Sequence, residues 1–292
     1  MSDLALPLEV MHDLTPAQLR QGQSDVARAN GIEAFFRDHL SGGGAGPELS
    51  VIPPGRCLLG APQPSRHFGD LPRREVAFDR AFAIGRHTVT ADEFEAFARA
   101  TDFYWRSDLI RAEGRQPVMN ISQGQTGLYL DWLSAQSGAR YRLPTENEWD
   151  YAARAGSPGD YCFGDRLTCG DANIQTFQAT GAAVRGWKRF LPFCAPMNRA
   201  VEVATYPANI WGLYEVHGNV WELTSDIWHG PLSPRPEDPQ NRSDAWIVVK
   251  GGSWFEGLAY ARAAARQPRL RNEIDVNLGF RVVRELDPPA HP

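Results

Sequence analysis

Apolar and polar positions along this chain switch between helical and strand periods. Within 12–40, Leu19, Val26, Ile32, Phe35 and Phe36 mark the apolar side of a helix or helical pair. Thr15 is the expected N-cap, with Pro16 at the first helical position and Gly31 as a breaker. Residues 49–59 read as a strand interrupted at Pro53-Pro-Gly55, and 74–85 as a second strand with alternating apolar positions. Thr90 and Glu93 form a capping box ahead of a helix that turns Phe94, Phe97 and Ala98 inward. Leu128, Leu130, Trp132 and Leu133 predict another helix over 125–137. Thr145 and Glu148 make a second capping box. The helix it opens carries Trp149, Ala152 and Ala153 on one side and ends near Gly156. Residues 246–250 and 280–285 are runs of β-formers, the first stopped by Gly251-Gly252. Between 157 and 210 neither period holds. Helices flanked by strands, followed by a long irregular middle, make an α+β pattern. The glycine-rich run from Ser41 to Pro47 reads as a flexible linker. The expected organisation is a helical extension (1–40), a linker (41–48), one main domain (49–286) and a short tail (287–292).

Composition narrows the class. At 292 residues, 42% apolar, the chain can bury a sizeable core. A net charge of -5 argues against a nucleic-acid surface, which needs a basic stripe. No stretch approaches the ~20 apolar residues of a membrane span. The first residues lack a basic start and an apolar core, so a signal peptide is not expected and a cytoplasmic location is. The four cysteines, Cys57, Cys162, Cys169 and Cys194, form no CxxC pair, and reduced thiols are expected. Nine Trp, 27 Gly and 22 Pro suit a loop-rich fold with aromatic anchors.

The densest chemistry lies in Gly212-Leu-Tyr-Glu-Val-His-Gly-Asn-Val-Trp-Glu222. Glu215 and Glu222 supply hard oxygen ligands, and a backbone bent at Gly212 and Gly218 can add carbonyls. That mixture suits Ca²⁺, which takes six to eight oxygens in loose geometry. The competing reading is a glycine-rich turn with solvated carboxylates and a core Trp.

The segment resembles the signature of the formylglycine-generating enzyme, or sulfatase-modifying factor, family. Four further strings match in order: Ile52-Pro-Pro-Gly-Arg-Cys-Leu-Leu-Gly60, Tyr141-Arg-Leu-Pro-Thr-Glu-Asn-Glu-Trp149, Gly251-Gly-Ser-Trp254 and Asn277-Leu-Gly-Phe-Arg281. The resemblance implies a variant of the C-type lectin fold: small antiparallel sheets, two main helices and long loops held by structural Ca²⁺. By matching motifs, one calcium site would use Glu215, Gly218, Val220 and Glu222, the Gly and Val through carbonyls. The other would use Asn173 and Ile174, with remaining ligands in the divergent stretch 180–205. His217 is expected to be a hydrogen-bonded structural histidine, since Ca²⁺ seldom takes nitrogen.

Family enzymes oxidise a substrate cysteine with O₂ on Cu(I) held by two thiolates, and soft Cu(I) wants sulfur. Both cysteines should lie between the Gly-Gly-Ser string and the Leu-Gly-Phe-Arg string. Here Glu256 stands at the first position and Leu258 or Ala261 at the second, and no cysteine follows Cys194. No copper is expected. The iron-dependent sulfoxide synthases of this fold need a His-x-x-x-His-x-Glu string, which is absent.

Three functional readings remain. A non-canonical maturation or modifying enzyme would work through Glu256 as acid/base, with Tyr260 and Arg262 beside it. A family relative that matures the pyoverdine chromophore also lacks the cysteine pair, and a glutamate is its proposed acid/base residue. The competing view of Glu256 is an ion pair with Arg262 or Arg266. A lectin-like binding module, as in the variable proteins of diversity-generating retroelements, would use Trp254, Phe255, Tyr260, Arg266 and Arg269 on a protein, peptide or small-molecule ligand. A sulfatase-modifying accessory protein is the third.

Overall fold

The computed structural model describes residues 9–105, 112–175, 197–229 and 245–286. The expected tail falls outside these residues. Among the described residues there are four α-helices and eleven short strands, the strands arranged in three sheets.

Local chemistry places the helices. α1 (Pro16–Ala29) starts on Thr15, whose side chain accepts from the Gln18 amide while Gln18 returns a bond to the cap. α2 (Ala91–Thr101), α3 (Gln123–Ser137) and α4 (Glu146–Arg154) open the same way on Thr90, Ser122 and Thr145. Each box satisfies amides that the first helical turn leaves orphaned.

The predicted runs become strands with four differences, one being that 280–285 shortens to Val283–Glu285. The run 49–59 divides into β2 (Leu49–Ile52) and β3 (Gly55–Leu59). The run 74–85 divides into β4 (Arg74–Phe78) and β5 (Phe82–Gly85). Phe35–Phe36 form β1 rather than the end of a helix, antiparallel to β2. The helix before it buries Leu19, Gln23 and Ala27 instead of a stripe running on to Phe36. Gln23 is buried because its amide nitrogen reaches Ser50 Oγ at 2.8 Å, Val51 O at 2.9 Å and Trp211 O at 3.2 Å. The glycine run after Leu40 is pinned as a turn: Ser41 N donates to Gln136 O, and Gly46 N to Asp38 O.

The five-stranded sheet has the order β1-β2-β5-β11-β6, with β6 at Tyr141–Arg142 and β11 at Val283–Glu285. A second sheet runs β10-β7-β8-β9, namely Leu278–Gly279, Trp221–Ile227, Trp246–Lys250 and Arg266–Leu270. β3 pairs with β4 as a ribbon. Period two splits β5 between two cores. Ala83 joins Phe94, Phe97, Tyr129 and Leu133 from α2 and α3, together with Trp221, Leu223 and Val249. Phe82 and Ile84 join Trp149 and Tyr151 of α4, with Trp211 and Leu213. The 212–222 segment runs between these cores and delivers Trp221 and Glu222 into the start of β7.

Cys57 and Cys162 are free, whereas Cys169 is disulfide-bonded, against the expectation of reduced thiols throughout. Among the described residues, no helix is long and apolar enough to cross a membrane.

Candidate functional site

The central segment turns on backbone angles that side chains resist. Gly218 has φ +83°, and a Cβ there would sit 2.3 Å from Asn173 O. Glu215 itself is left-handed at φ +46°. That twist aims its carboxylate at the 204–206 turn. Oε1 accepts from the Thr205 amide at 2.9 Å and the Tyr206 amide at 3.0 Å, and Oε2 from the Ala204 amide at 3.0 Å. Burial pushes the Glu215 carboxyl above the usual range, while the three amides and Arg281 pull it down.

Glu222 is fully buried and bound on both oxygens. Arg281 forks onto it, Nε to Oε2 at 2.5 Å and Nη2 to Oε1 at 2.6 Å, and Trp149 Nε1 donates to Oε2 at 2.6 Å. Lys250 stands opposite Glu222 across the β7–β8 ladder, also buried, with its ammonium on Ala263 O at 2.7 Å. A carboxylate offers about four lone-pair directions. Three donors already occupy each of these two, and Glu222 is charge-neutralised by Arg281. Each therefore keeps about one lone pair for a cation, and with Glu222 neutralised the pair is a poor anionic half for a calcium site. Among the described residues, no group of three or more His, Cys, Asp or Glu gathers as a ligand set either.

Asn173 is buried, its amide nitrogen on Arg199 O at 2.9 Å and Asn219 Oδ1 at 3.1 Å. Ile174 packs under Gly218. The rest of that expected ligand set falls largely in 176–196, outside the described residues. His217 is structural. Its Nδ1 donates to Ala261 O at 2.7 Å, and its Nε2 accepts from the Cys162 amide at 2.9 Å. Burial pulls its pKa down to about 4, so the ring is neutral.

The C-terminal stretch is arranged differently from its sequence reading. Glu256 is half-buried, and its Oε2 takes a short hydrogen bond from Ser253 Oγ. Neither nearby arginine pairs with it. Arg262 grips the buried Asp70 at 2.9 Å, and Arg266 holds Glu146 of α4 at 2.8 Å. Tyr260 turns to the 67–70 loop, its hydroxyl 3.0 Å from His67 Nε2 and its ring edge-on to Phe68 at 4.9 Å. The three expected catalytic residues thus share no hydrogen bond. Glu256 sits with Ser253 and Asn277, while Tyr260 and Arg262 sit with His67, Phe68 and Asp70.

The expected binding face is not assembled as a surface. Arg266 is buried, with its guanidinium 4.6 Å over the Trp228 ring. Arg269 pairs with Glu273 at 3.4 Å. Trp254 is half-buried against Ala91, Met119 and Val220. Phe255 alone of these four is well exposed, at 61%. Sequence reasoning missed Ser253 and Asn277 as site residues, although both lie inside the matched strings. It also missed His67 and Asp70, which no local signal marks.

Among the described residues, the free thiols Cys57 and Cys162 both pack with the Trp149 core. Burial pushes Cys57 up to about 12 and raises Cys162 as well, so neither offers a thiolate. The backbone of Cys162 approaches His217, but its side chain packs into the Trp149 core. An open pocket of about 500 Å³ lies elsewhere, lined by Phe82, Arg142 and Glu285.

The chain is similar to known proteins in sequence and in fold. A model of the sulfatase-modifying factor enzyme 1-like domain matches residues 41–286. The inactive C-alpha-formylglycine-generating enzyme 2 of Mus musculus is 27% identical, covering 83% of this chain and 87% of that protein. The formylglycine-generating enzyme of Mycobacterium tuberculosis is 30% identical, covering 82% of this chain and 98% of that protein. The solved structure of PvdO from Pseudomonas aeruginosa superposes with a TM-score of 0.66 at 29% identity, covering 82% of this chain and 95% of PvdO.

Proposed function

Since the chain belongs to the sulfatase-modifying factor enzyme 1-like family, we propose that it is a member without copper oxidase chemistry, whose working group is the Glu256 carboxylate. Copper oxidation needs two thiolates, because soft Cu(I) is held poorly by carboxylate or hydrocarbon. By the matched strings, Glu256 and either Leu258 or Ala261 stand where those thiolates belong. What Glu256 offers instead is an acid/base group. Ser253 orients the carboxylate, and its half-burial keeps one side open to a substrate.

The observation that carries this reading is the fate of the arginines. Arg262 and Arg266 are committed to Asp70 and Glu146, which leaves Glu256 without a cationic partner among the described residues. A carboxylate held by a single hydroxyl has free lone pairs for a substrate proton. The substrate would be a peptide, a protein or a small molecule; the acidic overall charge does not suit nucleic acid. A surface binding module is less well supported, because Arg266 is buried and Trp254 half-buried. Structural calcium is no part of this reading for the 215–222 segment, where three donors already hold each carboxylate.

Restoring the thiols tests the reading. The double variant Glu256→Cys, Ala261→Cys should bind one Cu(I) per chain, and the parent protein none. A double variant that binds no more copper than the parent, while still folded by circular dichroism, would mean that this stretch is not the copper-site equivalent.

A further inference from the structure

We propose that the Ser253–Glu256–Asn277 cluster binds a cationic nitrogen, an ammonium or guanidinium group carried by the substrate. This rests on Glu256 being the working carboxylate.

The direction of the hydrogen bonds carries the inference. Ser253 Oγ has one hydrogen, and an ionised Glu256 can only accept, so that hydrogen goes to Glu256 Oε2. Ser253 Oγ must then accept from its other neighbours. It does so from the Phe255 amide at 3.2 Å and from Asn277 Nδ2 at 3.1 Å. The Asn277 carboxamide is thereby fixed with its nitrogen toward Ser253, and its Oδ1 is the atom left over. Asn277 is only 5% exposed, and Oδ1 has no donor. A buried carbonyl oxygen left unpaired is costly, so the site lacks a donor group. Among the described residues Glu256 has no side-chain donor besides Ser253.

Two acceptors, one of them charged, set the ligand class. An anion would be repelled. An apolar group would leave both oxygens unpaired. A calcium ion wants six to eight oxygens, and two side chains supply few of them. An ammonium has three N–H groups and a guanidinium five, with the positive charge that Arg262 and Arg266 withhold. Phe255, exposed beside the cluster, offers an apolar flank for the carbon stem.

Ligand-observed NMR on the whole chain tests this with propylamine and guanidinium as probes. Both should bind saturably, and Glu256→Gln should weaken them about tenfold, the loss of one charge-assisted contact. That variant keeps an acceptor for Ser253, so its melting temperature serves as the folding control. Butyrate and tetramethylammonium, which carry the opposite charge or no N–H, should not bind. Equal binding of tetramethylammonium, no response to Glu256→Gln, or displacement of propylamine by millimolar calcium would each overturn the proposal. A copper-free protein that ignores both amines would remove this ligand class alone. Stoichiometric copper on the parent chain would remove the reading of Glu256 beneath it.

Discussion

At the scale of single residues, the carboxylates of the central segment serve the fold. Glu222 and Arg281 are both fully buried, so removing one partner strands a charge. Glu222→Gln should destabilise the protein by about 3–5 kcal/mol in urea unfolding; a cost under about 1 kcal/mol would mean that the pair is solvated. Glu215 differs because its donors are backbone amides. Glu215→Gln should cost about 1.5–3 kcal/mol, the scale of hydrogen bonds to a charged acceptor. His217 sets an acid limit. Its folded-state pKa lies at about 4 against 6.5 for the unfolded chain. The neutral ring's contribution is therefore present above pH 6.5 and is lost as pH falls from 6.5 toward 4. The loss is about 3 kcal/mol. Glu215 acts in the opposite sense, since a raised carboxyl favours the fold as pH falls through its range. Stability measured from pH 7 to 4.5 should decline with the histidine's slope, and His217→Gln should flatten it. An unchanged slope in that variant would assign the acid sensitivity elsewhere.

At the scale of elements, legibility followed sequence distance. The capping boxes at Thr90–Glu93 and Thr145–Glu148 were readable because cap and partner are three residues apart. Thr145→Ala should cost about 1 kcal/mol. The effect should exceed that of Thr15→Ala, because α4 carries Trp149 into the Glu222 network; equal effects would separate the cap from the network. β1 was not readable, since Phe35 and Phe36 fit a helical stripe equally well. What decides is contact with the rest of the fold. Arg86 lies 4.1 Å from the Phe35 ring, and Phe35 fills the space beside Gly212. β9 was hidden by Pro268 and two arginines, which read as loop until β8 supplies its ladder. The site divided in the same way. Glu256 was found from its place in a motif. Its freedom from Arg262 and Arg266 was not, because Asp70 and Glu146 lie more than a hundred residues away in sequence.

At the scale of the whole molecule, a family scaffold is retained, and on the proposed reading a carboxylate stands in for its copper-binding thiolates. Five strings spread over the chain are legible because they make the turns and buried pairs of the fold: Gly218 over Asn173, Arg281 on Glu222, and Ser253 beneath Glu256. Chemistry is carried by few side chains, so two substitutions can change it and leave the fold intact. Copper affinity therefore separates the possibilities more cleanly than any stability measurement. The most direct test is a Cu(I) competition titration of the fully reduced, unmodified protein against a bicinchoninate chelator. A carboxylate-based member should leave all copper with the chelator. Retention of one Cu(I) per chain, lost on changing Glu256 to alanine, would contradict it and return the protein to oxidase chemistry.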